Sequence, residues 1–444
     1  MSAFVLTLSL LPSSFAADAP AGIAQKTAGM QKLDGFFPIF RDARAGRIYL
    51  EAAGDGKDFL LLDQLPYGLG SNDVGLDRGQ LGQGRVVHFT FVGGKILLIQ
   101  PNLDYRSSAA EAAERMAVKE SFAESVLWGF KVEAEEKGRY LIDATDFFLR
   151  DAHHAAENIQ RAGQGSYHVD PSRSAVTEEN TKNFPKNTEV EAMLTFVTDG
   201  APKGEYVSSV TPDARAVTLR EHTSMVELPD LNAPDAYKPR KFDPRAGYFP
   251  LQYRDYSVPL GEPLDQRVIV RHKLVKKDPN AAMSEPVEPI VYYVDRGAPE
   301  PIRSALVEGA SWWAQAFEAA GFKNAFQVKV LPEGADPMDI RYNMIQWVHR
   351  VTRGWSYGEA VADPRTGQIL KGQVTLGSLR ARQDYMIAEA LLAPYIEGKP
   401  IPPDMEQMVL ARTRQLAAHE VGHTLGLQHN FAASSLAPGT SVMD

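Results

Sequence analysis

The 444-residue chain contains no cysteine. Disulfides, thiolate-held metals and thiol nucleophiles are thereby excluded, and any metal site must be built from His, Asp or Glu. A lipid anchor on a processed N-terminal cysteine is excluded as well. No apolar run approaches the roughly 20 residues that a membrane-spanning helix requires. Positive charge is also short: the formal net charge is -9, and the Lys and Arg residues are scattered. Neither nucleic acid nor an anionic membrane is therefore expected as a partner. No internal repeat is visible. Gly68-Leu69-Gly70-Ser71 has the glycines of a phosphate loop but no Lys-Ser/Thr pair after them, so it reads as a turn.

What is present has an ordinary globular balance, 44% hydrophobic and 23% charged residues. At this length two or three domains are expected rather than one core. Phe4 to Leu11 is a short apolar run, and Ser14-Phe15-Ala16 is a small-residue cleavage pattern. Residues 1–16 are thus expected to be an export signal, although Met1-Ser2-Ala3 lacks the usual basic front. The mature protein is then exported, to a periplasm or out of the cell. Residues 17–34 read as a flexible leader.

Residues 35–270 read as mainly antiparallel β, in one or two units. Arg47–Glu51, Phe59–Leu62, Arg139–Ile142 and Glu189–Val197 are strand-like, and two runs flank the hairpin signal Gly93-Gly94. Glu111 to Trp128 suggests one or two short helices, and the proline-bearing stretch 212–249 suggests loops. Residues 271–289, with three prolines among charges, read as a linker. From 290 to 444 the pattern changes. A β-branched strand, Ile290–Val294, precedes a helix with Ile302, Leu306, Trp313 and Phe317 on one face, closed by Gly321. Short strands follow around Phe326–Val330, Ile340–Met344 and Gln373–Leu376, with a turn at Asp363–Gly367. Asp404, after Pro402 and Pro403, is then a good N-cap for a helix running to Leu425. The fold class is α+β: a β-rich N-terminal region, then a mixed sheet packed by two long helices.

The last helix carries His419-Glu420-Val421-Gly422-His423. Residues four apart share a helix face, so His419 and His423 can present both imidazoles to one ion. Gly426 tolerates the left-handed turn that ends the helix, and that turn can return His429 as third ligand. Three imidazoles leave one position of a tetrahedral zinc free for water, the arrangement of a catalytic rather than a structural site. Glu420, one step on, is placed to act as general base. The pentapeptide alone would occur by chance in a few per cent of chains this long; Gly426 and His429 lower the expectation to about 10⁻⁴. A solvated helix end, or a zinc site that only holds the fold, are the blander readings, and Glu420 argues against the second.

His419 to His429 resembles the extended HExxHxxGxxH signature of metzincins. Met443 sits where the Met-turn of that clan would underlie the zinc. The whole chain resembles a family of large exported bacterial zinc metallopeptidases with a β-rich N-terminal part. The supporting stretches are Gly68–Gly79, Ser125–Gly129, Asp363–Gly367 and His419–Asn430. The resemblance implies a metzincin-like catalytic domain over 290–444, its active-site helix ending at Gly426. It also implies one catalytic Zn²⁺ and a protein or peptide substrate hydrolysed through an activated water. By that resemblance, Gln373–Leu376 would be the edge strand that pairs with substrate. Members of that family continue for several hundred residues beyond the methionine, so the catalytic domain is expected to be C-terminally incomplete at Asp444. The alternatives are a non-catalytic binding protein with a vestigial or truncated zinc domain, and a zinc hydrolase acting on something other than peptide bonds.

His153-His154 reads as solvated rather than as a second metal site. Trp312-Trp313 reads as one core and one partly exposed side chain. Asn430 could orient a ligand or cap the turn after Gly426.

Overall fold

The computed structural model describes residues 22–198, 200–352, 354–392, 400, 403–437 and 440–444. The expected export signal, residues 1–16, lies outside the described residues, as does the start of the expected leader. Among the described residues no helix is long and apolar enough to cross a membrane.

A thirteen-stranded sheet dominates the N-terminal part. Its path runs from Gln31–Leu33 through Ile39–Asp42, Arg47–Ala52, Arg139–Asp143, Ser125–Glu136, Lys95–Gln100, Arg85–Val92, Asp55–Tyr67 and Ala216–Glu227 to Asn187–Thr198 and Tyr167–Val169. The Gly93–Gly94 pair makes the expected two-residue hairpin, with Val92 opposite Lys95 and both glycines at positive φ. The sheet rolls on itself. Ile39 and Ile48 near one end share a core with Val190 and Met225 near the other, around Phe59, Phe89 and Phe130. The Phe36 amide donates to the Phe184 carbonyl and the Phe37 amide to Thr188 Oγ1 across the remaining gap.

Four segments differ from expectation. Residues 22–34 are not a loose leader: Ile23 is buried against Phe40, Tyr49, Ala134 and Leu141, and Gln31–Leu33 is a strand. Val126 to Trp128 is strand rather than helix, because the helix Ala112–Ser121 ends before Phe122, which turns to extended backbone. Within the stretch expected to be loops, Ala216–Glu227 is a long central strand paired on both sides. Residues 271–289 are tied in: Arg271 and His272 join the second sheet, and Val275 and Lys277 hydrogen-bond back to Val287 and Glu285.

In that second sheet Phe326–Val330, Ile290–Val294, Asn343–Val348 and Gln368–Gly377 run parallel, in that order, and Tyr357–Ala362 closes the edge antiparallel. Gln373–Leu376 is therefore interior, and the edge position belongs to Tyr357–Ala362. One face carries Tyr292, Val294, Ile345, Val374 and Leu376 into a core with Leu306, Ala310, Ala417 and Val421 of the covering helices. These are Ile302–Ser311, continued after a break at Trp312 by Trp313–Ala319, and the 21-residue helix Asp404–Thr424. A further helix, Ser378–Leu392, packs beside Asp404–Thr424.

The opposite face of the sheet is covered by the N-terminal loop 68–82. Arg350 holds Asp77 through two bonds of 2.7 and 2.8 Å, with both side chains buried. Arg78 reaches Asp295 at 3.0 Å, Val351 N donates to Gly70 O at 2.8 Å, and Gln373 Nε2 donates to Gly79 O. Nearby, Asn187 accepts from Ile340 N and donates to Met338 O. The β-rich region and the helix-bearing sheet thus share an interface that is hydrogen-bonded around Asp77 and apolar where Leu60, Leu62, Val86, Val226 and Leu228 pack with Ile340 and Val361.

Candidate metal centre

The long helix positions two imidazoles and its end positions the third. Asp404 is not the expected N-cap but the first helical residue, Pro403 taking the cap position, and with Glu406 in the first turn it complements the helix dipole. The helix stops where Gly426 takes φ +100°, a conformation that favours glycine. The Leu427 amide closes back on Gly422 O and the Gly426 amide on His423 O. The chain then turns, and His429 comes back over the two helical histidines.

His419, His423 and His429 form the only three-residue group of possible ligands among the described residues, all within 4.8 Å of one another. His419 Nε2 lies 3.2 Å from His423 Nε2 and 3.2 Å from His429 Nε2. Tetrahedral zinc with bonds of about 2.0–2.1 Å sets its nitrogen ligands about 3.3 Å apart, so the spacing fits the ion. The tautomers fit as well. His419 Nδ1 donates to Val442 O at 2.6 Å and His423 Nδ1 to Leu427 O at 2.8 Å. Each of those rings then turns an unprotonated Nε2 toward the common centre. Lone pairs converging at this distance repel unless a cation lies between them. Burial pushes the pKa of both His419 and His423 down, which favours the neutral, ligating form.

Glu420 is buried on the same helix. Burial raises its carboxyl to about 7, and the charge of Arg380 acts in the opposite direction. A carboxyl held near neutrality can both take up and release a proton. Arg380 carried no sequence signal. It stands on the helix after strand Gln368–Gly377 and is held by Asp384 at 3.2 Å.

Below the histidines lies Met443, buried to 4% exposure. Its carbonyl accepts from the Asn430 amide at 2.6 Å, so the ligand turn and the methionine segment are tied together. Asn430 acts there through its backbone; its side chain makes no cap bond. Trp313 donates its indole N–H to Ala418 O at 2.7 Å, and Trp312 is partly exposed.

His153 and His154 are not a solvated pair. His153 is buried and bonded to Asp63 at 2.8 Å, while His154 is exposed, in left-handed backbone before the helix Ala155–Arg161. Neither joins a metal-capable group among the described residues.

The contacts that the motif makes with the β-rich region carry no local signal in the sequence. Tyr248 bridges Leu427 in antiparallel fashion, the Phe249 amide donates to Gly426 O, and the Gln428 amide donates to Gly247 O. The end of the β-rich region therefore grips the turn that delivers His429.

Two family models match the chain. Residues 402–444 match one described as Met-zincin, and residues 79–277 match one described as Domain of unknown function (DUF5117). No curated protein matches it. The first match and the histidine cluster together suggest a metzincin-like zinc domain at this end of the chain.

Proposed function

We propose that the protein is a zinc-dependent metalloendopeptidase, with His419, His423 and His429 as ligands of one Zn²⁺ and Glu420 as general base. One observation carries this reading: two imidazoles locked by backbone carbonyls aim their free Nε2 atoms at a point shared with His429, beside a buried acid. Zinc in such a site supplies Lewis acidity and an activated water. His419 and His423 are held in the ligating tautomer by Val442 O and Leu427 O, so little reorganisation is needed on binding. Glu420 takes a proton from the attacking water and returns it to the leaving amine. The edge strand Tyr357–Ala362 offers backbone groups along which an extended peptide could add as another strand. Export, suggested by residues 1–16, would place this activity outside the cytoplasm.

The test is Glu420→Gln in the full chain. Bound zinc per chain should stay near the wild-type ratio while hydrolysis of a denatured protein falls by about 10²-fold or more. Hydrolysis at the wild-type rate, or activity that survives a chelator, would refute the assignment.

A further inference from the structure

Phe249 belongs to the β-rich region, 170 residues before the first histidine of the motif. Its ring lies with its centroid 5.9 Å from that of His423, and it remains 39% exposed. An exposed phenylalanine alone would signify little. This one has a fixed backbone. Its amide donates to Gly426 O at 2.7 Å, and its carbonyl accepts from Val270 N at 2.9 Å. Tyr248 on one side bridges Leu427, and Gly247 O accepts from Gln428 N at 2.7 Å. The side chain is thus held beside a ligand by three backbone hydrogen bonds, yet its ring is not absorbed into a core. On the other flank Phe431 is exposed, with its ring 5.4 Å from that of His429.

We propose that Phe249 is a specificity-determining residue of this centre, contacting the substrate directly and selecting an apolar side chain next to the scissile bond. The proposal rests on the peptidase reading. Binding sites for uncharged side chains are apolar walls on rigid supports, and a phenylalanine pinned at the rim of the metal site provides one. It also gives the β-rich region a role in recognition, since the contact comes from outside the segment that holds the ligands.

The experiment compares zinc-loaded wild type, Phe249→Ala and Phe249→Leu on one denatured protein, with cleavage sites read by mass spectrometry and bound zinc measured for each. In Phe249→Ala the preference for apolar over charged residues beside the cleaved bond should fall by about tenfold in kcat/KM, the scale of a lost apolar contact. Zinc per chain should be unchanged, and Phe249→Leu should recover most of the preference. An unchanged cleavage profile in Phe249→Ala overturns the proposal. So does loss of zinc from that variant, because Phe249 would then act through the ligand turn rather than on substrate. If the wild type itself shows no cleavage that depends on zinc and on Glu420, the peptidase reading fails and this proposal falls with it; that outcome is distinct from the other two.

Discussion

Gly422 lies against Met443 so closely that a Cβ at position 422 would stand 2.2 Å from the methionine Sδ. It would also stand 2.7 Å from Cζ2 of Trp313. The one variable position of the helical motif that faces the support of the site is therefore filled by the only residue with no side chain. Gly422→Ala should push Met443 or Trp313 out of place. Overpacking of this kind costs about 1–3 kcal/mol. The expected result is a lower melting temperature and weaker zinc binding by calorimetric titration. Met443→Leu keeps the volume roughly constant and should cost less than about 1.5 kcal/mol. Equal zinc affinity in wild type and Gly422→Ala would show that the methionine does not need its present place.

The Arg350–Asp77 pair joins the two halves of the molecule through buried charges. Removing one partner of such a pair leaves the other uncompensated, at a cost of about 3–5 kcal/mol. Asp77→Ala should therefore destabilise strongly. The double variant Asp77→Ala with Arg350→Leu should cost less than the sum of the single changes, because no orphan charge remains. Chemical denaturation of all four proteins checks this. Strict additivity would mean that the pair does not couple the β-rich region to the second sheet.

A second group of buried charges makes a prediction about pH. Glu191 is buried in strand Asn187–Thr198. Burial alone would raise its pKa, but bonds from His222, Asn180, Thr177 and Arg220 outweigh that and draw it down to about 2. A carboxyl drawn from 4.5 to about 2 corresponds to stabilisation of about 3 kcal/mol. Because the folded pKa is depressed, this stabilisation is fully present above about 4.5 and is lost as pH falls toward about 2. Neighbouring Glu189 and Glu221 are shifted the other way by burial, so the overall profile mixes signs. The difference between wild type and Glu191→Gln isolates the one group. That difference should be largest near neutrality and shrink steadily below about pH 4.5. A difference independent of pH would contradict the sign.

These buried acids also explain what the sequence hid. Ala216–Glu227 reads as a loop because Arg220, Glu221, His222 and Ser224 break its apolar pattern. In the fold His222 donates to Glu191 at 3.0 Å and Ser224 to Glu189 at 2.6 Å, so polar side chains fill a buried face through partners about 30 residues away. Such pairing leaves no local periodicity. Ile290–Val294 was legible because it buries alternate residues, Phe326–Val330 because it alternates although Val330 stays exposed, and the histidine-bearing helix because its start after two prolines and its four-residue spacing are local. The clustering of His419, His423 and His429 was legible because helical spacing and one glycine turn bring them together locally. Phe249, Arg380 and Arg350 were not, since each reaches its place through contacts between distant segments. The edge strand was misplaced by one position for the same reason: which strand lies outermost depends on pairing, which a run of residues does not encode.

That edge strand sets the last test. Gly358 of Tyr357–Ala362 passes so near the histidine-bearing helix that a Cβ would lie 2.1 Å from the Glu420 carbonyl oxygen and 3.1 Å from His423 Cβ. Both neighbours belong to a packed helix, and backbone cannot give way as a flexible side chain can. Gly358→Ala should therefore displace the strand rather than the helix, at about 1–3 kcal/mol of stability. The three histidines lie on the helix and its turn, so zinc content should stay near that of the wild type. If a peptide is held along this strand, moving the strand misaligns it with Glu420 and the metal. A misplacement of about 1 Å can cost about 10²-fold in rate. The expected outcome is thus normal zinc, a modest drop in melting temperature and a large drop in kcat/KM. Wild-type kcat/KM in Gly358→Ala would mean that substrate does not depend on this strand.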